Sequence, residues 1–203
     1  MATELYFIYD THCPWSYATT PLVNEISKKL NHIEIHLWHC AYYEGDSGIK
    51  DAQLKEIEQL SNITFSQAYK NTIEQAKDST LSANLMAWAQ AKAPKQALAL
   101  LNALQAQHFV QGNQLIVEAD VEEMISQLKL SPPAKVYKTD KLSKDAEAVV
   151  HDVFSLQDII ATQAIPALLL AIDDELILLN HNFYLQQPEA IIEAIELELA
   201  KHK

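Results

Sequence analysis

The chain has 203 residues, 49% of them apolar and 21% charged, and its 15 Lys (there is no Arg) face 27 Asp+Glu for a net charge of −12. That supports one sizeable core and excludes a disordered chain; an acidic, Arg-free surface suits neither nucleic acid nor an anionic membrane. Gly45, Gly48 and Gly112 are too few and too scattered for a dinucleotide fingerprint or a phosphate-cradling loop.

No basic region precedes an apolar run near the start, and no apolar stretch approaches the length of a membrane span, so neither a signal peptide nor a membrane segment is expected. Residues 5–9 predict a short strand. A helix pattern follows Cys13 through Leu22, Ile26 and Leu30, with Pro14 tolerable in its first turn. Residues 32–39 alternate, placing Ile33, Ile35 and Leu37 on one face. Two strands joined by such a helix are expected to run parallel.

From about residue 51 to residue 130 the period is helical. Phe65, Ala68, Tyr69, Thr72, Ile73 and Ala76 predict one helix, opened by the capping-box spacing Thr64-x-x-Gln67. Leu81, Leu85 and Trp88 predict a second. Ala97, Leu100, Leu101 and Leu104 predict a third, starting at Pro94. A fourth carries Val121, Met124, Ile125 and Leu128, capped by Asp120-x-x-Glu123, and Pro132-Pro133 ends the run.

Val149, Val153, Leu156 and Ile160 then mark another helix. Strands follow at 167–172 and 175–179 around an Asp173-Asp174 turn, and a terminal helix carries Ile191, Ile192, Ile195 and Leu199. The order β-α-β, helical block, α-β-β-α is that of an α/β, thioredoxin-like fold with an all-helical insertion after the second strand. Residues 1–45 and 140–203 are expected to form the thioredoxin-like domain and 46–139 the insertion.

Two cysteines, Cys13 and Cys40, do not make a disulfide framework and suit a reducing, cytoplasmic setting. Cys13-Pro14-Trp15-Ser16 sits where the first strand hands over to the first helix. A thiol there faces unpaired N–H groups and the positive end of the helix dipole, so its pKa is expected below the ordinary value. Thiolate is the form that attacks disulfides. His36 and Cys40 share a strand face but stand about 13 Å apart, beyond metal bonds of about 2.0–2.3 Å. With His39 on the opposite face and His32 at the strand start, no metal site is expected.

The segment Tyr9-Asp10-Thr11-His12-Cys13-Pro14-Trp15-Ser16-Tyr17, together with the element order and Ile165-Pro166 at a strand start, resembles the DsbA-like thioredoxin-fold family. It is most similar to the FrnE-like branch, which shares its fold with the 2-hydroxychromene-2-carboxylate isomerases and the kappa-class glutathione transferases. The resemblance implies thiol–disulfide exchange with Cys13 as nucleophile, and a cis Pro166 lying against it. It also implies substrate contacts from Pro14, Trp15 and the Ile165 backbone. No tightly bound cofactor is implied; glutathione is the implied cosubstrate, and a small thiol or a disulfide-containing peptide or protein the substrate.

The FrnE-like pattern is Cys-Pro-Trp-Cys, and Ser16 stands here in place of its second cysteine. A monothiol stalls at the mixed disulfide until another thiol arrives, with glutathione the obvious resolver. Ser16 can donate a hydrogen bond to the Cys13 sulfur. His12, beside the thiol, and Cys40, at the end of the second strand, are candidate modulators, Cys40 as an alternative resolver. Asp10 reads as a turn residue or a local proton-transfer group. Tyr42, Tyr43, Tyr69 and Trp88 could roof a cleft over the motif, but stripes at helical spacing are assigned to the core. Two further readings stay open: a glutathione-dependent transferase or isomerase, in which the sulfur that matters is glutathione's, and a non-catalytic binding module on the same fold.

Overall fold

The computed structural model describes residues 3–46 and 49–202, so Gly48 lies outside the described residues. The chain begins with strand β1 (Thr3–Tyr9), helix α1 (Pro14–Lys29) and strand β2 (Glu34–His39). β1 and β2 pair in parallel from Glu4–Glu34 to Tyr9–His39, as a strand–helix–strand connection requires. Near the other end, β5 (Ala167–Ile172) and β6 (Glu175–Leu179) make a hairpin. Its turn places Asp173 at φ 50°, a left-handed backbone that Asp tolerates better than most residues. β5 runs antiparallel to β1, giving one sheet of order β2-β1-β5-β6.

Alternation along the strands splits the core between two faces. Leu5, Phe7, Tyr9, Leu168 and Leu170 belong to the larger cluster, with α1. Ile8, Ala167 and Leu169 belong to a smaller one, against Val153 of helix α7 (Lys144–Ile159). Helix α8 (Ile191–Lys201) closes the chain and adds Ile191 and Ile195 to the larger cluster.

Between β2 and α7 lie β3 (Glu44–Asp46), α2 (Asp51–Leu60), α3 (Gln67–Lys70), β4 (Lys77–Asp78), α4 (Thr80–Lys92), α5 (Pro94–Phe109) and α6 (Glu122–Gln127). Pro94 opens α5 from its first turn, where a missing N–H costs nothing, and Ala97, Leu100, Leu101 and Leu104 are all buried. α4 is buried on nearly every face. Its Gln90 side chain accepts the Leu37 N–H of the sheet edge at 3.0 Å, and its Asn84 accepts the Ser143 N–H at 2.6 Å while donating to Lys138 O and Lys141 O.

Two expectations fail, for related reasons. The stripe from Phe65 to Ala76 forms only the single turn α3, capped by Ser66, whose Oγ accepts the Tyr69 N–H at 3.1 Å, and not by Thr64. Tertiary partners take over beyond it: buried Lys77 donates from Nζ to Thr72 O at 2.6 Å, and β4 pairs with β3 through Glu44 and Asp78. That two-strand ladder, inside an otherwise helical stretch, has no signature in the hydrophobic period. Asp120 does not cap α6 either; its Oδ2 accepts the N–H groups of Ile116 and Val117 at 2.8 and 3.0 Å in the preceding turn, so α6 starts at Glu122. Among the described residues, no helix is long and apolar enough to cross a membrane.

Candidate active site

Cys13 is the residue on which α1 starts. Its backbone is extended (φ −81°, ψ 119°), its N–H donates to Asp10 O at 3.1 Å, and its carbonyl accepts the Tyr17 N–H at 3.0 Å. Pro14 follows in the first helical turn. Only 5% of Cys13 is exposed, and it packs within the larger core cluster. The thiol caps nothing, but the hydroxyl and N–H of Ser16 and the N–H of Trp15 are near enough to favour its anion. Ser16 Oγ accepts the Asp10 N–H at 3.3 Å, which leaves its own hydrogen free for the sulfur.

The thiol nevertheless titrates above its ordinary value, contrary to the expectation from position alone. Burial pushes it up, Ser16 pulls it down, and the Asp10 carboxylate pushes it up again. Helix-start donors therefore offset desolvation without outweighing it.

Asp10 is fully buried and anchors the turn from behind. Its Oδ1 accepts the His12 N–H at 2.8 Å and the Ser79 hydroxyl at 2.9 Å, and its Oδ2 accepts the Tyr42 N–H at 2.7 Å. Burial raises the carboxyl, yet the His39 and His12 imidazoles and the hydrogen bonds from His12 hold it well below the usual carboxylate range. His39 is driven the other way, down to about 4, because burial outweighs the pull of Asp10. The Thr11 N–H reaches its Nε2 at 3.1 Å and the Ala41 N–H its Nδ1 at 3.0 Å; a neutral ring can accept only one of them, and a doubly protonated ring neither.

His12 turns its ring into this lattice. Nε2 lies 3.0 Å from Gln114 O, while Nδ1 lies 3.4 Å from Ser79 Oγ and 3.6 Å from Asp10 Oδ1. Tyr43 and Tyr69 stand near enough to Cys13 to feel its charge; burial first, and the thiolate next, pushes both phenols far above their ordinary values.

The Ile165–Pro166 peptide bond is cis. Trp15, Ile165 and Pro166 line one cleft of about 470 Å³ with Glu56, Leu60 and His181. Glu56 and Leu60 arrive on α2 with no local pattern that points to the cleft. His181 was within reach of the hairpin register, because Leu168 pairs with Leu179 and so brings the residues after β6 beside Pro166. Cys40 packs against the smaller cluster, with Ile8 and Ala167, so the two sulfurs sit with opposite faces of the sheet. Burial, then Asp10 and Cys13, raises the Cys40 thiol well above its ordinary value. His36 lies 3.1 Å from Glu4 Oε2 and stacks on Tyr6. Among the described residues, no three His, Cys, Asp or Glu side chains are gathered to hold a metal ion.

No family model matches the chain, and no curated protein matches it in sequence. Solved structures do match in fold. The cytosolic disulfide reductase DsbM from Pseudomonas aeruginosa, solved with GSH, superposes with a TM-score of 0.82 at 20% identity, covering 97% of this chain and 99% of that one. A 2-hydroxychromene-2-carboxylate isomerase reaches 0.58 at 13% identity, over 98% and 99% of the two chains. A periplasmic thioredoxin-like protein from Salmonella enterica serovar Typhimurium reaches 0.53 at 18% identity, over 97% and 83%. The chain has the DsbA-like thioredoxin fold.

Proposed function

We propose that this thioredoxin-fold chain is a thiol–disulfide oxidoreductase working through one nucleophilic cysteine, Cys13, with glutathione as the resolving thiol and the cytoplasm as its setting. The observation that carries the reading is Cys13 at the N-cap of α1, two residues before Trp15, which walls a cleft with the cis Ile165–Pro166. The solved fold neighbour named as a cytosolic disulfide reductase, with GSH bound, supports it. We further propose that residues 1–45 and 140–203 act as the thioredoxin-like unit and 46–139 as the insertion that roofs it.

In this reading the Cys13 thiolate attacks one sulfur of a substrate disulfide. A mixed disulfide forms, and the other sulfur leaves as a thiolate that takes up the proton Cys13 lost. Ser16 and the N–H groups at the helix start hold the anion, Pro14 keeps that start free of a competing N–H, and the Ile165 backbone aligns the substrate as an added strand segment. Glutathione attacks the Cys13 sulfur of the mixed disulfide and expels the substrate as thiolate. A second glutathione then restores Cys13 and leaves as glutathione disulfide. The balance is one disulfide and two glutathiones giving two thiols and one glutathione disulfide.

Mass spectrometry after mixing with hydroxyethyl disulfide tests the step. A mixed disulfide on Cys13, absent in Cys13→Ser, is the expected result; an unmodified Cys13 refutes the reading. Retention of glutathione conjugation or isomerisation in Cys13→Ser would instead favour a transferase or isomerase, the second reading that the isomerase fold neighbour keeps in view.

A further inference from the structure

Tyr69 is fully buried on α3, yet among the described residues no donor or acceptor pairs with its hydroxyl. Phenylalanine would fill the same space. A buried hydroxyl left unpaired only destabilises a fold that makes no other use of it.

Two lines of aromatic rings lead from the flanks of Cys13 to this residue. One passes from His12 to His108 and on to Tyr69, with ring centroids 4.5 and 5.0 Å apart. The other starts at Tyr17, whose N–H donates to the Cys13 carbonyl, and passes through Phe109 at 4.5 and 4.8 Å. Cys13 and Tyr69 belong to the same core cluster. Burial first, and the Cys13 charge next, hold the phenol well above its ordinary value, so it keeps its hydrogen while the thiol gives up its own.

The chain also fixes where Tyr69 stands. Ser66 caps α3 by accepting the Tyr69 N–H. Gly112, at φ 74°, lies against the preceding residue so closely that a Cβ there would meet the Ala68 carbonyl carbon and oxygen at 2.8 Å. Only glycine lets the chain after α5 press α3 into this place.

We infer that the Tyr69 hydroxyl donates to the Cys13 sulfur when that sulfur is an anion, as a second hydroxyl beside that of Ser16. This rests on the function proposed above and adds a residue to its site. The sulfur carries charge when Cys13 attacks the substrate and again when the second glutathione expels it, so one donor serves both steps.

The test reads Cys13 ionisation from ultraviolet thiolate absorbance, with Cys13→Ser as the blank, and the rate with hydroxyethyl disulfide across pH. Tyr69→Phe should raise the midpoint by about one unit. Below both midpoints the variant then holds about tenfold less thiolate, each about threefold more nucleophilic, and reacts about threefold slower. Above both midpoints it reacts about threefold faster. A merely structural hydroxyl produces no such crossing. Asp10, His12, Cys40, Tyr43, Lys77 and His108 are the other titratable groups packed around the sulfur and the ring. All are common to both chains, so the difference between the profiles reads the hydroxyl. Tyr69→fluorotyrosine keeps the ring and makes the phenol a stronger donor, so it should lower the midpoint even if Tyr69→Phe fails to fold. A midpoint unmoved in either folded variant, or one rate factor at every pH, would overturn the inference alone. A Cys13 that ionises but never reacts with hydroxyethyl disulfide in the native chain would overturn the function on which it rests.

Discussion

Two carboxylates border the Cys13 turn in opposite circumstances. Asp10 is fully buried and receives three hydrogen bonds, from His12, Ser79 and Tyr42. Glu56 is exposed on α2 and borders the cleft. The same unit of charge does different work in the two places. In the interior, where solvent screens little, Asp10 raises the thiol of its neighbour. At the wet rim, solvent and salt screen the charge of Glu56. Burial decides which of the two carboxylates reaches the sulfur.

The sharpest way to break that division is to change the chemistry on the interior side. Ser16→Cys supplies the second thiol that the turn lacks. The mixed disulfide on Cys13 should then be released without any added thiol, where the native chain holds it; a stalled adduct in the variant would show that position 16 cannot reach the sulfur. Asp10→Asn comes next. It removes a buried anion whose donors stay behind and should cost about 3 kcal/mol in urea unfolding. It should also lower the midpoint of the Cys13 alkylation–pH profile, because the raising charge is gone.

His39 has a smaller effect, with a defined pH window. Its folded pKa of about 4 lies below its ordinary 6.5, so between those values the unfolded chain binds more protons than the folded one. Stability therefore falls as pH drops through that window, and His39→Gln should remove about one proton from the slope. Calorimetry from pH 7 to pH 4 reads this directly, and an unchanged slope would place the ring in a different state. Ser16→Ala is the mildest change. Loss of one donor should raise the alkylation midpoint by less than about one unit, leaving the fold intact.

The strands and the long helices were legible because each rests on a local period. Residues 167–172 and 175–179 form β5 and β6 with the expected bounds, and Pro94 starts α5 as its missing N–H suggests. What local pattern hid was competition from distant partners. Lys77 and the Glu44–Asp78 pairing cut a long apolar stripe to one turn, and Asp120 spent its carboxylate before the helix it was expected to cap. The chemistry divides the same way. Cys13, Trp15 and Pro166 were visible as a turn and a distant proline, whereas the rise in the thiol follows from packing density around residue 13 and from a carboxylate fixed by residues 42 and 79. No short window of sequence contains those terms.

The three donors on Asp10 bear on how transferable this turn is. One belongs to the turn itself; the Tyr42 amide and the Ser79 hydroxyl come from segments reached only after the second strand and after α3. Grafting residues 9–17 onto another strand–helix scaffold would import an anion and leave two of its three ligating groups in the donor protein. The recipient would have to rebuild that rear wall, or carry Asn in place of Asp10 and accept a sulfur with a different proton affinity.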